Sequence, residues 1–209
     1  MEARSEGFLV RRPNYKKREE AKRFKIITNG TKTEAGYFVR LNRLSTDNIE
    51  VETKKGFSLD EMLKSAQKII AKSDGGYDEV CIVLDIDEQM DTKKEKARLK
   101  KFIENAKDAG VPVYMSNESF EIWLLSHKIT VPKSASKREI ATKLALKEGL
   151  LDGERRKEVV EEEITIGSVK HALMETSRLR KEYGEDITKS KPMTDVDLLV
   201  SRVRLKITK

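Results

Sequence analysis

The 209-residue chain carries 43 Lys and Arg against 36 Asp and Glu, a formal charge of +7, and is 37% hydrophobic, enough for a packed core under a heavily charged surface. A single cysteine, Cys81, excludes a disulfide framework and a cysteine metal cluster, and no apolar run reaches the length of a bilayer span. With no signal-like apolar segment after Met1, a cytoplasmic location is the default expectation.

The charge is unevenly placed. Residues 1–25 and residues 128–209 each carry +5, and the stretch between them carries −3. Basic flanks around an acidic centre suit a metal-dependent enzyme acting on nucleic acid, and they suit an ordinary solvated surface equally well.

Residues 1–22 read as a basic arm in which Arg11, Arg12, Lys16, Lys17 and Arg18 can lie along a phosphate backbone; a solvated tail is the competing reading. Residues 24–28 are a short apolar strand, followed by the turn Asn29-Gly30-Thr31-Lys32-Thr33-Glu34 ahead of a helix. Glycine there allows close backbone approach, the threonines are candidate caps, and exposed amides at the helix start favour an anion; the spacing is not that of a Walker loop. Tyr37, Phe38, Leu41 and Leu44 mark a helix over 34–44, alternation marks a strand over 48–53, and Ser58 with Glu61 forms a capping box for a helix over 58–72.

The stretch Glu79-Val80-Cys81-Ile82-Val83-Leu84-Asp85-Ile86-Asp87-Glu88 is an apolar run of strand length that ends on two carboxylates at i, i+2. In an extended chain Asp85 and Asp87 face the same side, which makes a hard oxygen site suited to Mg2+ or Mn2+. Acidic residues after a strand also serve as caps for the next helix, so both readings stay open. A basic helix over 92–109 then stops at Gly110, and residues 111–115 form another strand. Asn117 and Ser119 lead into a helix with Glu121 in its first turn, Trp123 and Leu124 as core residues, and His127 on the far side as a packing or surface residue.

Strands alternating with helices predict an α/β fold with about four mainly parallel strands flanked by helices. Loops after parallel strands gather on one edge, so residues 29–34, 85–88 and 116–121 converge there. From residue 136 onward helices dominate, over 137–148 and 168–183, with a charged piece over 154–163 and a closing helix, or helix plus strand, over 193–205. The domain reading is an arm over 1–22, an α/β domain over 23–130 and a helical region over 131–209 packed on it.

Four stretches in this order resemble the RloB family of phage-defence proteins: residues 26–38, residues 83–88, residues 116–127, and the closing Lys191-Pro192-Met193-Thr194-Asp195-Val196-Asp197-Leu198-Leu199-Val200. The resemblance implies a Toprim-like fold, in which a Glu after the first strand and an Asp-x-Asp after a later one bind Mg2+ for phosphodiester chemistry. Asp85 and Asp87 match the Asp-x-Asp. The family often has Glu-Gly where this chain has Asn29-Gly30; Asn29 can offer a carbonyl oxygen to a metal but cannot act as a general base, so the missing carboxylate falls to Glu34 or Glu121. Family members are also similar to Toprim effectors that work beside an ABC-type ATPase in abortive infection, some of which cut tRNA, which implies an ATPase partner. The expectation is therefore a Mg2+- or Mn2+-dependent nuclease of RNA or DNA, an anti-phage effector. Asp85, Asp87 and Glu34 would hold metal, Glu34 or Glu121 would complete the site or position water, and Lys32 would steady phosphate charge. Its rivals are a non-catalytic module, with a decayed site, that binds nucleic acid or the ATPase, and a nucleotide-binding sensor. No membrane partner is implied, and a homo-oligomer is left open.

Overall fold

The computed structural model describes residues 20–72, 76–86, 92–154 and 158–207. Its centre is β3 (Glu79–Asp85), every residue of which is buried. A strand this apolar is stable only when both faces are covered and both edges are paired, and β3 lies between β1 (Arg23–Thr28) and β4 (Val113–Asn117), parallel to each. Ile26 sits beside Cys81 and Leu84 beside Met115, so the branched and apolar side chains of three strands form one layer. Glu79 starts β3 as a buried acid; Tyr114 donates to it at 2.9 Å and Arg202 pairs with it at 2.7 Å, which compensates the buried charge.

Parallel neighbours need crossovers, and three amphipathic helices supply them. These are α1 (Thr33–Leu44), α2 (Leu59–Lys72) and α3 (Lys93–Asp108), with β2 (Asn48–Thr53) pairing outside β1. The N-cap position of α1 falls on Lys32, which has no side-chain oxygen, so the threonine cap suggested by the sequence is not made there. In α2 the Glu61 carboxylate accepts from the Ser58 N–H at 3.0 Å, and in α3 Thr92 and Glu95 form a reciprocal box with bonds of 2.8 and 3.1 Å. Gly110 takes φ +67° just after α3, a conformation that favours glycine and reverses the chain into β4.

After β4 come α4 (Glu121–Ser126), α5 (Arg138–Lys147) and α6 (Ile166–Tyr183). The expectation that helices alone fill residues 136–192 is corrected at one place. Two-residue strands β5 (Leu151–Asp152) and β6 (Glu158–Val159) pair antiparallel, and Val159 packs over Gly36 of α1. Of the charged piece over 154–163, residues 158–159 are therefore the second strand of this pair and residues 161–163 a single 3-10 turn. The strand left open within 193–205 is β7 (Met193–Thr194), which pairs antiparallel with the end of β4, so the four parallel strands gain a fifth in the order β2-β1-β3-β4-β7. Two residues are too few to show alternation, so no periodicity announces these strands. The short helix α7 (Val196–Val200) follows β7. The N-cap of α6 is Thr165 with Ser168 at the third position, and the helix begins at Ile166, two residues ahead of the expected 168, because a serine stands where the usual box has Glu or Gln.

One buried acid ties the chain's later residues to the open side of the sheet. Asp47, 5% exposed, accepts from the backbone of Lys22 (2.9 Å) and Arg204 (2.8 Å) and from the Arg204 guanidinium (2.6 and 2.9 Å). Burial pushes its carboxyl up, but the hydrogen bonds from Arg204 and Lys22 together outweigh that and hold it below the ordinary value. Removing the carboxylate strands these donors, so Asp47→Ala is expected to cost on the order of 3 kcal/mol in urea unfolding, against well under 1 for an exposed acid such as Asp60→Ala.

Candidate functional site

Because β1, β3 and β4 run parallel, the turns after β1 and β4 and the end of β3 lie on one edge. Glu34, in the first turn of α1, is the first acid there and is 7% exposed. Its carboxylate lies directly over the turn after β1: a Cβ on Gly30 would come within 1.6 Å of Glu34 Oε2, so a residue without a side chain is required beneath it. That turn is braced by Thr28, whose hydroxyl accepts from the Gly30 N–H at 3.1 Å, and by Thr53, whose hydroxyl donates to the Gly30 carbonyl at 3.3 Å. Asn29 is half-buried between them.

Glu121 opens α4 at 6% exposure and accepts from the Thr142 hydroxyl at 3.3 Å. Burial raises the Glu34 carboxyl to about 7 from an ordinary 4.5; its own backbone N–H opposes this, the charge of Glu121 adds to it, and the Arg138 guanidinium subtracts from it. Glu34, Glu121 and Arg138 therefore share one electrostatic site. Asp85, the last residue of β3, joins it by a 2.8 Å ion pair with Arg138.

Arg138 is the first residue of α5, and its own N–H donates to Glu118 at 3.0 Å. Glu118 also accepts from Lys191, and these two partners hold its carboxyl below the ordinary value although burial pushes it the other way. The Asn117 amide nitrogen donates to the Ile187 carbonyl at 2.8 Å, while Asn117 Oδ1 and Ser119 Oγ are buried with no hydrogen-bond partner among the described residues.

The expected site residues therefore divide. Glu34, Asp85 and Glu121 gather around Arg138, with Asn29, Gly30, Asn117 and Ser119 in the turns of the same edge. Lys32 is turned toward the β5–β6 hairpin, where it donates to Glu158 at 3.1 Å. Asp87 and the arm residues Arg11, Arg12, Lys16, Lys17 and Arg18 lie outside the described residues. His127 is a core residue: it is edge-on to Tyr37 and Trp123, bonds Ser168 at 3.1 Å through Nδ1, and is pushed down to about 3 by burial and by His171. Sequence reasoning missed Arg138 and Thr142. Arg138 stands 53 positions from Asp85 between Lys137 and Glu139, where a charged helix face gives no sign of an inward partner.

Among the described residues no group of three or more His, Cys, Asp and Glu is placed to hold a metal ion. The donors that are present fit Mg2+ or Mn2+ in kind: Glu34 and Glu121 are buried carboxylates that repel each other, and two unpartnered neutral oxygens, Asn117 Oδ1 and Ser119 Oγ, lie in the neighbouring turn. Asp85 does not complete a three-carboxylate group with them, and Asp87 lies outside the described residues.

Fold and site together define an α/β protein whose mainly parallel sheet gathers buried carboxylates at its C-terminal edge. The model of the family described as RloB-like protein matches residues 24–203, and the chain belongs to that family. Comparisons with curated proteins and with solved structures returned no match. No helix among the described residues is long and apolar enough to cross a membrane.

The raised Glu34 carboxyl carries a sign that can be measured. Between 4.5 and about 7 the folded chain holds a proton that the unfolded chain has lost, so stability is fully present below 4.5 and declines as pH rises through 7, by on the order of 3 kcal/mol. Urea midpoints taken from pH 5 to 8 should show this fall in the native chain and little of it in Glu34→Gln. Gly30→Ala should also flatten the profile, because it expels the carboxylate from its seat.

Proposed function

We propose that this chain is a divalent-cation-dependent phosphodiesterase that cleaves nucleic acid. The observation that carries this is the burial of Glu34 beside Glu121 at the sheet edge that also holds Asp85. Two buried carboxylates in mutual repulsion are costly, and a divalent cation bound at this edge would offset that cost. Mg2+ or Mn2+ bound there supplies polarisation of a phosphoryl oxygen and an activated water. Asp85 and Glu121, with Asp87, would hold the ion, and Glu34 would position the attacking water and accept its proton. The fixed amides and side chains of the turns after β1 and β4 orient the phosphodiester without reorganisation at the moment of reaction.

Membership of the RloB-like family supports extending this proposal to a phage-defence effector acting on RNA, tRNA included, or on DNA, with an ABC-type ATPase as partner. The +5 of residues 1–25 suits a polyanionic substrate. One residue favours a second reading. Asn29 stands where the family often has a glutamate, and an amide cannot take a proton from water, so a binding module with a decayed site is the alternative.

The test is cleavage of a panel of total tRNA, single-stranded RNA and plasmid DNA with Mg2+ or Mn2+. Cleavage is expected to fall at least about a hundredfold in Glu34→Gln and in Asp85→Ala/Asp87→Ala. Undiminished cleavage in both variants overturns the assignment. Silence from the native chain with activity restored by Asn29→Glu would establish the decayed site instead.

A further inference from the structure

We propose that the face of α3 carrying Lys93, Lys96, Lys100 and Lys107 is a track on which a single strand of nucleic acid lies as it approaches the acidic edge. This rests on the nucleic-acid substrate proposed above and adds the surface that holds it; it requires no bound metal.

Helix α3 holds seven Lys and Arg against three Asp and Glu, a net charge of +4 in a chain whose total is +7. The neighbouring α2 nets only +1, so the excess is particular to α3. At 3.6 residues per turn the lysines at 93, 96, 100 and 107 fall within an arc of about 60° and span about 21 Å along the axis. All four are exposed, while Leu99, Phe102 and Ala106 take the buried side.

This arrangement works against the helix. Three of its first four residues, Lys93, Lys94 and Lys96, stand where the macrodipole favours acids, and Lys93 with Lys96 and Lys96 with Lys100 are like charges one turn apart. Helix α2, by contrast, opens on Asp60 and Glu61. A partner with a row of negative charges removes both penalties.

The lysine face borders a groove of about 350 Å3, lined by Lys96, Leu99, Lys100, Ile103, Glu104 and Thr188. Leu99 and Ile103 give it an apolar floor. Its acid, Glu104, sits 4.0 Å from Lys100 in an exposed pair that holds neither firmly, and Asp186 beside the far wall is engaged by Lys189 at 2.7 Å and by the Thr188 hydroxyl at 2.6 Å. That far wall is fastened to the candidate site, because the Asn117 side chain donates to the Ile187 carbonyl at 2.8 Å and Glu118 accepts from Lys191. The near wall leads to the same place: α3 is the crossover between β3 and β4, so it starts on the edge where β3 ends at Asp85. An apolar floor beside a row of cations suits a single strand, whose phosphates meet the lysines and whose exposed bases meet the floor. A duplex turns its bases inward and is too wide for a groove of this volume.

The experiment measures, by fluorescence anisotropy in EDTA over a salt series, the affinity of the full chain for a labelled oligouridylate of about 12 nucleotides. Lys93→Gln/Lys96→Gln/Lys100→Gln/Lys107→Gln removes the track, and Lys64→Gln/Lys68→Gln/Lys72→Gln/Lys170→Gln removes the same charge from exposed positions elsewhere. The track variant should bind at least about tenfold more weakly than the native chain, and its log affinity should fall with log salt less steeply by about 2 to 3, while the control variant changes far less. Its urea midpoint should be no lower than the native one, since like charges leave the helix; if the fourfold variant does unfold, Lys96→Gln/Lys100→Gln carries the test with about half the change in slope. Equal losses in the two variants reduce the effect to net charge and overturn the track, as does an unchanged track variant. A duplex of the same length that binds as tightly overturns the single-strand assignment. Polyglutamate that binds as tightly, and is weakened by the same four changes, gives the face to an acidic protein partner instead. No oligouridylate binding by the native chain overturns the track, and cleavage in the Mg2+ and Mn2+ panel, read separately, shows whether the phosphodiesterase proposal falls with it.

Discussion

The structure depends on the burial of β3. Seven residues enclosed on both faces and paired along both edges leave the strand a single exit, its C-terminal end, and that is where Asp85 stands. Each neighbour then follows from the need to cover what β3 exposes. The flanking strands must be parallel because helices connect them, and parallel strands end on the same side. An acid at the end of the central strand therefore meets the turns after β1 and β4 without any sequence proximity, and the site is a by-product of how the core is closed.

The acids at that edge are arranged at some expense to the fold. Glu34 and Glu121 are nearly as buried as the apolar residues beneath them, and the turn over which Glu34 lies requires a glycine. Positions that hold charge in low dielectric are maintained only where surrounding groups over-determine them. Here Thr142 steadies Glu121, Thr28 and Thr53 brace the turn at Gly30, and Arg138 tempers the whole. The opposite edge shows what a purely structural solution looks like: Glu79 is matched by Tyr114 and Arg202, and Asp47 by Arg204 and Lys22.

Much of this was legible in the sequence because it rests on local pattern. The unbroken apolar run from Val80 to Leu84 marks the central strand, Gly110 marks the end of the basic helix before β4, and the order of strands and helices fixes the parallel sheet and hence the convergence of Glu34, Asp85 and Glu121. What escaped depends on partners distant in the chain. Arg138 looks like one more surface cation until α5 sets it against Asp85, and Lys32 looks like a phosphate ligand until the hairpin brings Glu158 to it. The strands β5 and β6 escaped for another reason, that a pair of residues carries no period; the strand left open over 193–205 settles on Met193–Thr194 because β4 offers an edge there.

The pairing of β7 with β4 also bears on how the molecule comes into being. Ser116 meets Thr194, 78 positions later, and their hydroxyls bond at 2.9 Å beside Asn117, whose side chain is held by Ile187. The edge that presents the acids is thus fastened by a segment that emerges from the ribosome long after β1, β3 and β4 are made. Contacts this far apart close late, after the loop between them has been ordered. A nascent chain would hold its acidic turns unfastened through most of its synthesis, and competence would arrive only with the residues that lock the edge.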